Sequence, residues 1–267
     1  MRGFIWSAFL SGLRSYSFQV LFIVSLLVIA LSMLSANFSA RHPETLLVDV
    51  GYTGVRVVLT LMTVFWVQEL VAKDIERKTV ILVLSYPQGR ATYLLGRYFG
   101  IAVLIAAAVI LMSVLLWIAI TLNPIDYAQS HPVDKGLSYW ISFCYMMVDL
   151  WVVAAFTLLI ATLSTTPMLP LLLGIAFAVA SHAIGPTADF LRTAPTADDA
   201  HLQTLGPVLD SALMVLPDMD RLDIRNWSLY GVMPSPAELF WPLLLALSYI
   251  GLMLVIAMQW FKRRDFV

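Results

Sequence analysis

Several apolar runs that approach or exceed about eighteen residues dominate this sequence, and runs of that length are what a helix needs to cross a bilayer. Phe18 to Ala36 and Tyr98 to Leu122 are two of them. The composition agrees. Of 267 residues, 60% are hydrophobic and 12% charged, and the mean hydropathy is +0.86, far from the soluble average of about a quarter charged residues. The expected fold class is all-α: a polytopic membrane protein with six transmembrane helices, an N-terminal interfacial helix and a short helical outer segment before the last span. A net charge of −1 and a pI near 6.4 leave no basic face for nucleic acid.

Met1 to Tyr16 spaces Phe4, Ile5, Ala8, Phe9 and Leu13 near the helical period, with Arg2 and Arg14 at the ends, which predicts an interfacial helix over 1–16. Spans are predicted at about 18–36, 52–72, 98–122, 139–163, 168–184 and 239–261, all within one transmembrane domain over 1–267. The first span is too long for a secretory signal, and Leu34 or Phe38 would hold the −3 position of a cleavage site, so it reads as a retained anchor. Asn37 to Gly51 is expected to be a polar loop. Gly185 to Glu238 is expected to be a polar excursion, broken by Pro186, Pro195, Pro207, Pro217, Pro234 and Pro236. Within it, Leu202, Leu205, Leu209, Leu213 and Leu216 share a helical face, while 217–227 is too polar to enter lipid; a cap over one end of a pathway and a solvated connector are equally good readings.

Orientation follows from Lys and Arg. With both termini cytoplasmic, ten of the sixteen basic residues fall on the inner side. The chain carries no P-loop, so it cannot build a phosphate cradle of its own, and no H-E-x-x-H or G-x-S-x-G occurs. His42, His131, His182 and His201 lack metal-ligand spacing, and no metal site is expected. Cys144, the only cysteine, falls in an apolar run and reads as a small buried hydrophobe. The chain is therefore read as non-catalytic, with no cofactor of its own.

Two polar features remain. Asp149 falls near the middle of the fourth predicted span, where a lipid-facing carboxylate costs about 2.5–3.5 kcal/mol or more, so it must face protein or water. It reads as a proton or cation relay, as a polar contact on a substrate path, or as a structural partner of another helix near Arg56. The second feature is the charged, Pro-broken passage from Lys73 to Gly100 between two apolar runs. Glu69 and Lys73, and again Asp74 and Lys78, are spaced i to i+4, so the second helix is expected to continue past the membrane surface. Thr79 to Leu84 is a short apolar stretch, and Tyr86–Pro87–Gly89 forces a turn, which leaves apolar side chains in need of a partner protein.

The run from Glu76 to Arg97, ERKTVILVLSYPQGRATYLLGR, resembles the inner motif of type-2 ABC exporter permeases: an acidic-basic pair, a Thr, a Leu-Leu-Ser-x-Pro-like turn, then Arg and an entry into the third span. The layout of the whole chain is similar to that of the short, NosY-like members that lack a large extracytoplasmic domain. The resemblance implies a permease subunit of an ATP-driven exporter in the bacterial inner membrane. It would pair with itself and with two copies of a separate ATP-binding subunit, which would hold the ATP and Mg. The loop 73–97 would be the coupling helix, with Glu76, Arg77 and Thr79 at the ATPase cleft and Ser85, Pro87 and Arg90 shaping the return into the membrane. An ion-gradient-driven transporter using Asp149, and a membrane scaffold that moves nothing, are the alternatives.

Overall fold

The computed structural model describes residues 2–38, 42–76, 89–122, 133–166, 168–193, 211 and 216–263. Among them every regular element is helical. In chain order these are α1 (Arg2–Leu13), α2 (Tyr16–Ala36), α3 (Pro43–Glu76), α4 (Arg90–Leu122), α5 (Leu137–Leu163), α6 (Met168–Thr193), the short α7 (Arg225–Tyr230) and α8 (Pro236–Arg263). Six of them, α2 to α6 and α8, are long and apolar enough to cross a membrane, and the chain is a multi-pass membrane protein of the all-α class.

α3 and α5 are the most buried of the six, and α2 and α8 the least. The centre of the bundle is therefore α3 against α5, with α4, α6 and α8 packed around them and α2 lying along α3. α2 presents Ile23, Leu27, Leu31 and Leu34 outward, and α8 presents Leu244, Leu247, Leu252 and Val255. In water such faces would drive aggregation; in lipid they need no cover. α2 is capped by Ser15, whose hydroxyl accepts from the Phe18 amide at 3.1 Å. It approaches α3 closely because Gly54 has no side chain, and a Cβ there would run into Val28. α1 lies on α4, with Ala8 fully buried and Gly12 against Leu104, while Trp6 is exposed.

Aromatic residues stitch the central helices together by donating to backbone carbonyls that their own helices leave with a spare lone pair. Tyr139 Oη reaches the Ser113 carbonyl at 2.7 Å and Trp151 Nε1 reaches that of Ala102 at 3.1 Å, joining α5 to α4; Tyr145 Oη reaches Leu239 at 2.9 Å, joining α5 to α8. Phe156 and Phe177 stack at 4.0 Å between α5 and α6.

Three expectations are corrected, the first being that Cys144 is buried: it is exposed on the surface of α5. Residues 43–51 are not a loop, because α3 begins at Pro43, where the missing amide costs nothing in the first helical turn. Glu44 and Asp49 are carried on this helix and paired, Glu44 with Lys135 at 3.0 Å and Asp49 with Arg225 at 2.9 Å. Nor does the fifth span stop before Pro186: α6 continues through it to Thr193, and the Thr187 hydroxyl donates to the Ala183 carbonyl at 2.6 Å within that turn.

The segment 216–231 is not a solvated connector. Met219, Leu222, Ile224 and Leu229 are buried in the core at one end of the bundle. The Met219 amide donates to the Ser181 carbonyl of α6 at 3.1 Å, and the Asp134 amide donates to the Ser228 carbonyl at 2.9 Å ahead of α5. The predicted apolar face of 202–216 lies outside the described residues except for Leu216.

Candidate functional site

Two polar assemblies occupy opposite stretches of α3. Glu76 and Arg56 are twenty positions apart on that helix, or roughly 30 Å at 1.5 Å per residue. The residues singled out in sequence therefore form two sites, not one.

The first lies at the end of α3 that precedes the 77–88 stretch. α3 is not α-helical throughout: Gln68–Ala72 forms a π-helical turn before the α-helix resumes over Lys73–Glu76. Such a turn inserts one extra residue and rotates everything beyond it, and these turns occur often at functional sites. Here it is buried, with Gln68, Leu70, Val71 and Ala72 inside the bundle. Glu69 and Lys73 pair across it at 3.8 Å, as their spacing predicts. Asp74 is oriented by α4: Arg97 Nη2 donates to its Oδ2 at 2.6 Å and Tyr93 Oη at 3.1 Å. Arg90, at the first turn of α4, donates from Nη1 to the Lys262 carbonyl at the end of α8 at 3.0 Å. Glu76 is exposed at the tip. The ends of α3, α4 and α8 are thus tied together on both sides of the 77–88 stretch. Arg77, Thr79, Ser85 and Pro87 lie outside the described residues.

The second assembly is a ladder of alternating charge that runs from the segment 216–231 into the middle of the bundle. Asp149 of α5 is fully buried. Its Oδ2 accepts from Arg56 Nε at 3.2 Å and from Nη2 at 3.1 Å. Arg56 Nη1 donates at 2.7 Å to Oδ2 of Asp223, Arg225 Nε lies 3.4 Å from that same oxygen, and Arg225 Nη1 lies 2.9 Å from Asp49. Arg225 also donates to the Thr53 hydroxyl and sits over the Tyr52 ring at 5.9 Å. The ladder explains why Asp149 can sit at mid-span: the carboxylate never meets lipid. It also explains why 216–231 is fixed, since Asp223 and Arg225 come from that segment.

His182 of α6 completes the inner end. Its Nδ1 lies 2.7 Å from the Ala178 carbonyl, its Nε2 lies 3.1 Å from Asp149 Oδ2, and Arg56 Nη2 is within hydrogen-bonding distance of the same nitrogen. Asp149 Oδ1 is buried without a hydrogen-bond partner among the described residues. Beside this cluster a cavity of about 380 Å³ runs between α3 and α6, walled by Val57, Leu61, Ile175 and Val179, with Arg56 and His182 as its charged or titratable groups.

Of the sequence candidates, Arg56 and Asp149 are brought together as the structural reading expected, in a larger network than either alone suggested. Asp49, His182, Asp223 and Arg225 were missed as members. His182 had a signal available, because a titratable side chain inside the apolar run AFAVASHAIG requires a named partner just as Asp149 does. Arg225 and Asp223 had none, since they lie in a polar segment where charge is ordinary. No described group of His, Cys, Asp and Glu is arranged to hold a metal ion. No protein-family model matches the chain, and no curated protein matches it.

Proposed function

We propose that this chain is the permease subunit of an ATP-driven transporter of the type-2 ABC exporter class, and that it receives mechanical work at the stretch between α3 and α4. The observation that carries this reading is the arrangement around Asp74 and Arg90. A stretch bearing the Glu76 to Arg97 motif is bracketed by helix ends joined through Asp74, Arg97, Tyr93 and the Lys262 carbonyl. A push on 77–88 would reach α3, α4 and α8 at once. The buried π turn interrupts the α-helical ladder between that tip and the rest of α3, and on this reading serves as a joint. The chain lacks a nucleotide-binding loop, so ATP and Mg belong on a separate subunit, two copies of which would serve a homodimer of this chain in a bacterial inner membrane with both termini cytoplasmic. On this reading the chain is not itself an enzyme. Glu76, Arg77 and Thr79 meet the ATPase, and Ser85, Pro87 and Arg90 shape the return.

The test is copurification in mild detergent followed by coupled ATPase assays. A P-loop ATPase at equal stoichiometry is expected, with Glu76→Ala and Arg77→Ala lowering transport-coupled hydrolysis while membrane insertion is kept. Full coupling in an inserted double variant, or a stable lone monomer, would remove the reading.

One observation favours a second reading, transport driven by an ion gradient: the buried Asp149, with an unpartnered Oδ1 and a histidine at hand. Purified chain in liposomes would then transport without any ATPase, and Asp149→Asn would abolish it.

A further inference from the structure

Three atoms converge at the inner end of the ladder, Arg56 Nη2, His182 Nε2 and Asp149 Oδ2, and what His182 does there depends on its proton. Nδ1 of His182 faces a carbonyl oxygen, which only accepts, so Nδ1 carries a hydrogen. Nε2 then has one of two states. As a bare lone pair it accepts from Arg56 Nη2, which can only donate; as N–H it donates to Asp149 Oδ2, which can only accept. Neutral His182 belongs to Arg56, and protonated His182 belongs to Asp149.

The charge of the ladder points the same way. Asp49, Asp223 and Asp149 supply three negative charges, and Arg225 and Arg56 supply two positive ones, so one negative charge is left over. A proton on Nε2 balances it. Of this set Asp149 is the innermost and has an oxygen without a donor, so the imbalance is felt where screening is weakest.

We propose that His182 is a proton-binding site, and that protonation turns it from an acceptor of Arg56 into a donor to Asp149 and widens the cavity between α3 and α6. The proton enters on the Nε2 lone pair; no other bond is made or broken. Nη2 of Arg56 loses His182 as an acceptor, keeps Asp149 Oδ2, and then faces a second cation. α3 and α6, which carry Arg56 and His182, are pushed apart, and both groups border the cavity. Arg56 keeps Asp223 through Nη1, so the repulsion moves it outward along the ladder. The charged groups on the elements packed on α6 are Glu44, Asp49 and Arg56 of α3 ahead of the π turn, Glu69 in the π turn, Asp149 of α5, and Asp218, Asp220, Arg221, Asp223 and Arg225 of the 216–231 segment; Asp189 lies on α6 itself. Asp220 and His182 interact through charge. This site stands independently of how transport is powered.

The experiment has two arms on full-length protein in nanodiscs. In the first, His42, His131 and His201 are replaced by Gln, and the nitrogen NMR signals of His182 are followed between about pH 5 and 8, the range in which a histidine changes charge. The expected neutral form carries its proton on Nδ1; a neutral form protonated on Nε2 overturns the proposal. In the second arm, spin labels on Val57→Cys and Val179→Cys, in a Cys144→Ser background, report the α3 to α6 separation. It should widen as His182 takes up its proton, and a separation that does not change overturns the proposal. The widening should be lost in His182→Gln and kept in Asp220→Asn; the reverse pattern would assign the pH response to Asp220.

Discussion

Removing the guanidinium of Arg56 takes a partner from two carboxylates at once: Asp223 keeps Arg225, whereas Asp149, fully buried, is left without a permanent cation. Breaking a buried pair from one side costs about 3–5 kcal/mol, whereas removing both partners costs far less than the sum, since no lone charge is left behind. Arg56→Gln is therefore expected to lose about that much stability, and Arg56→Gln with Asp149→Asn should recover part of it. Unfolding in mixed micelles measures this, and additive losses would show that the pair is not coupled. Two acids outside the spans have opposite pH signatures. Burial, then the charges of Asp223 and Asp218, pushes the Asp220 carboxyl above its ordinary value. The folded state thus prefers Asp220 protonated, and its contribution is present in acid and lost as pH rises through the raised value. Asp220→Asn should stabilise the protein at neutral pH and change nothing in acid. Asp134 is held below its ordinary value by the Ser138 hydroxyl and the Gly136 amide. Its contribution is present above the unfolded value and lost as pH falls, so Asp134→Asn should flatten only the acid limb of a stability profile.

Among the elements, α3 combines the sequence's clearest signal with its most misleading one. Its apolar run and its i to i+4 pairs were legible, and the helix does run on to Glu76, with Lys73 on Glu69. Its start was not legible, because Glu44, Asp49 and Arg56 dilute the apolar pattern, and the groups that neutralise them, Lys135, Arg225 and Asp223, lie about 90 or more positions away in the chain. Pro186 misled because a proline frees a single carbonyl, here that of His182, without ending a helix held by its packing on α5 and α3; the Thr187 hydroxyl adds a local bond to Ala183. The π turn has no sequence signature, since its extra residue is selected by burial against neighbouring helices. It can be tested by subtraction. Deleting one residue within Gln68–Ala72 should restore a continuous α-helix and rotate Lys73–Glu76 by about 100°, one residue's share of a turn. Asp74 then leaves Arg97 and Tyr93. The expected outcome is a normally inserted protein that has lost coupling, and in which Asp74→Asn no longer costs stability, as it should in the parent. A deletion variant that keeps coupling would show that the turn is not a joint.

At the scale of the molecule, an even number of crossings returns the chain to its starting side. The tip at Glu76 and the end of α8 must then lie on one face, and the Asp134 and Met233 regions on the other. The Arg90 bond to the Lys262 carbonyl demands the same pairing of ends, and the backbone bond between Asp134 and Ser228 demands it for the opposite face. On the orientation that the proposed function requires, the excess of Lys and Arg beside 73–97 and after α8 faces the cytoplasm. Cys144 is the only cysteine, so a Cys144→Ser parent gives a clean background for accessibility. Single cysteines at Glu76, Lys262, Asp134 and Met233 should divide in two under a membrane-impermeant maleimide. Those at 134 and 233 should label in intact cells, and those at 76 and 262 only after permeabilisation. The inverse division would keep the six crossings and reverse the orientation, placing the Glu76 tip where no cytoplasmic ATPase could reach it. Equal labelling at 76 and 134 would break the crossing of α4, the one long helix between them, and with it the count of six crossings.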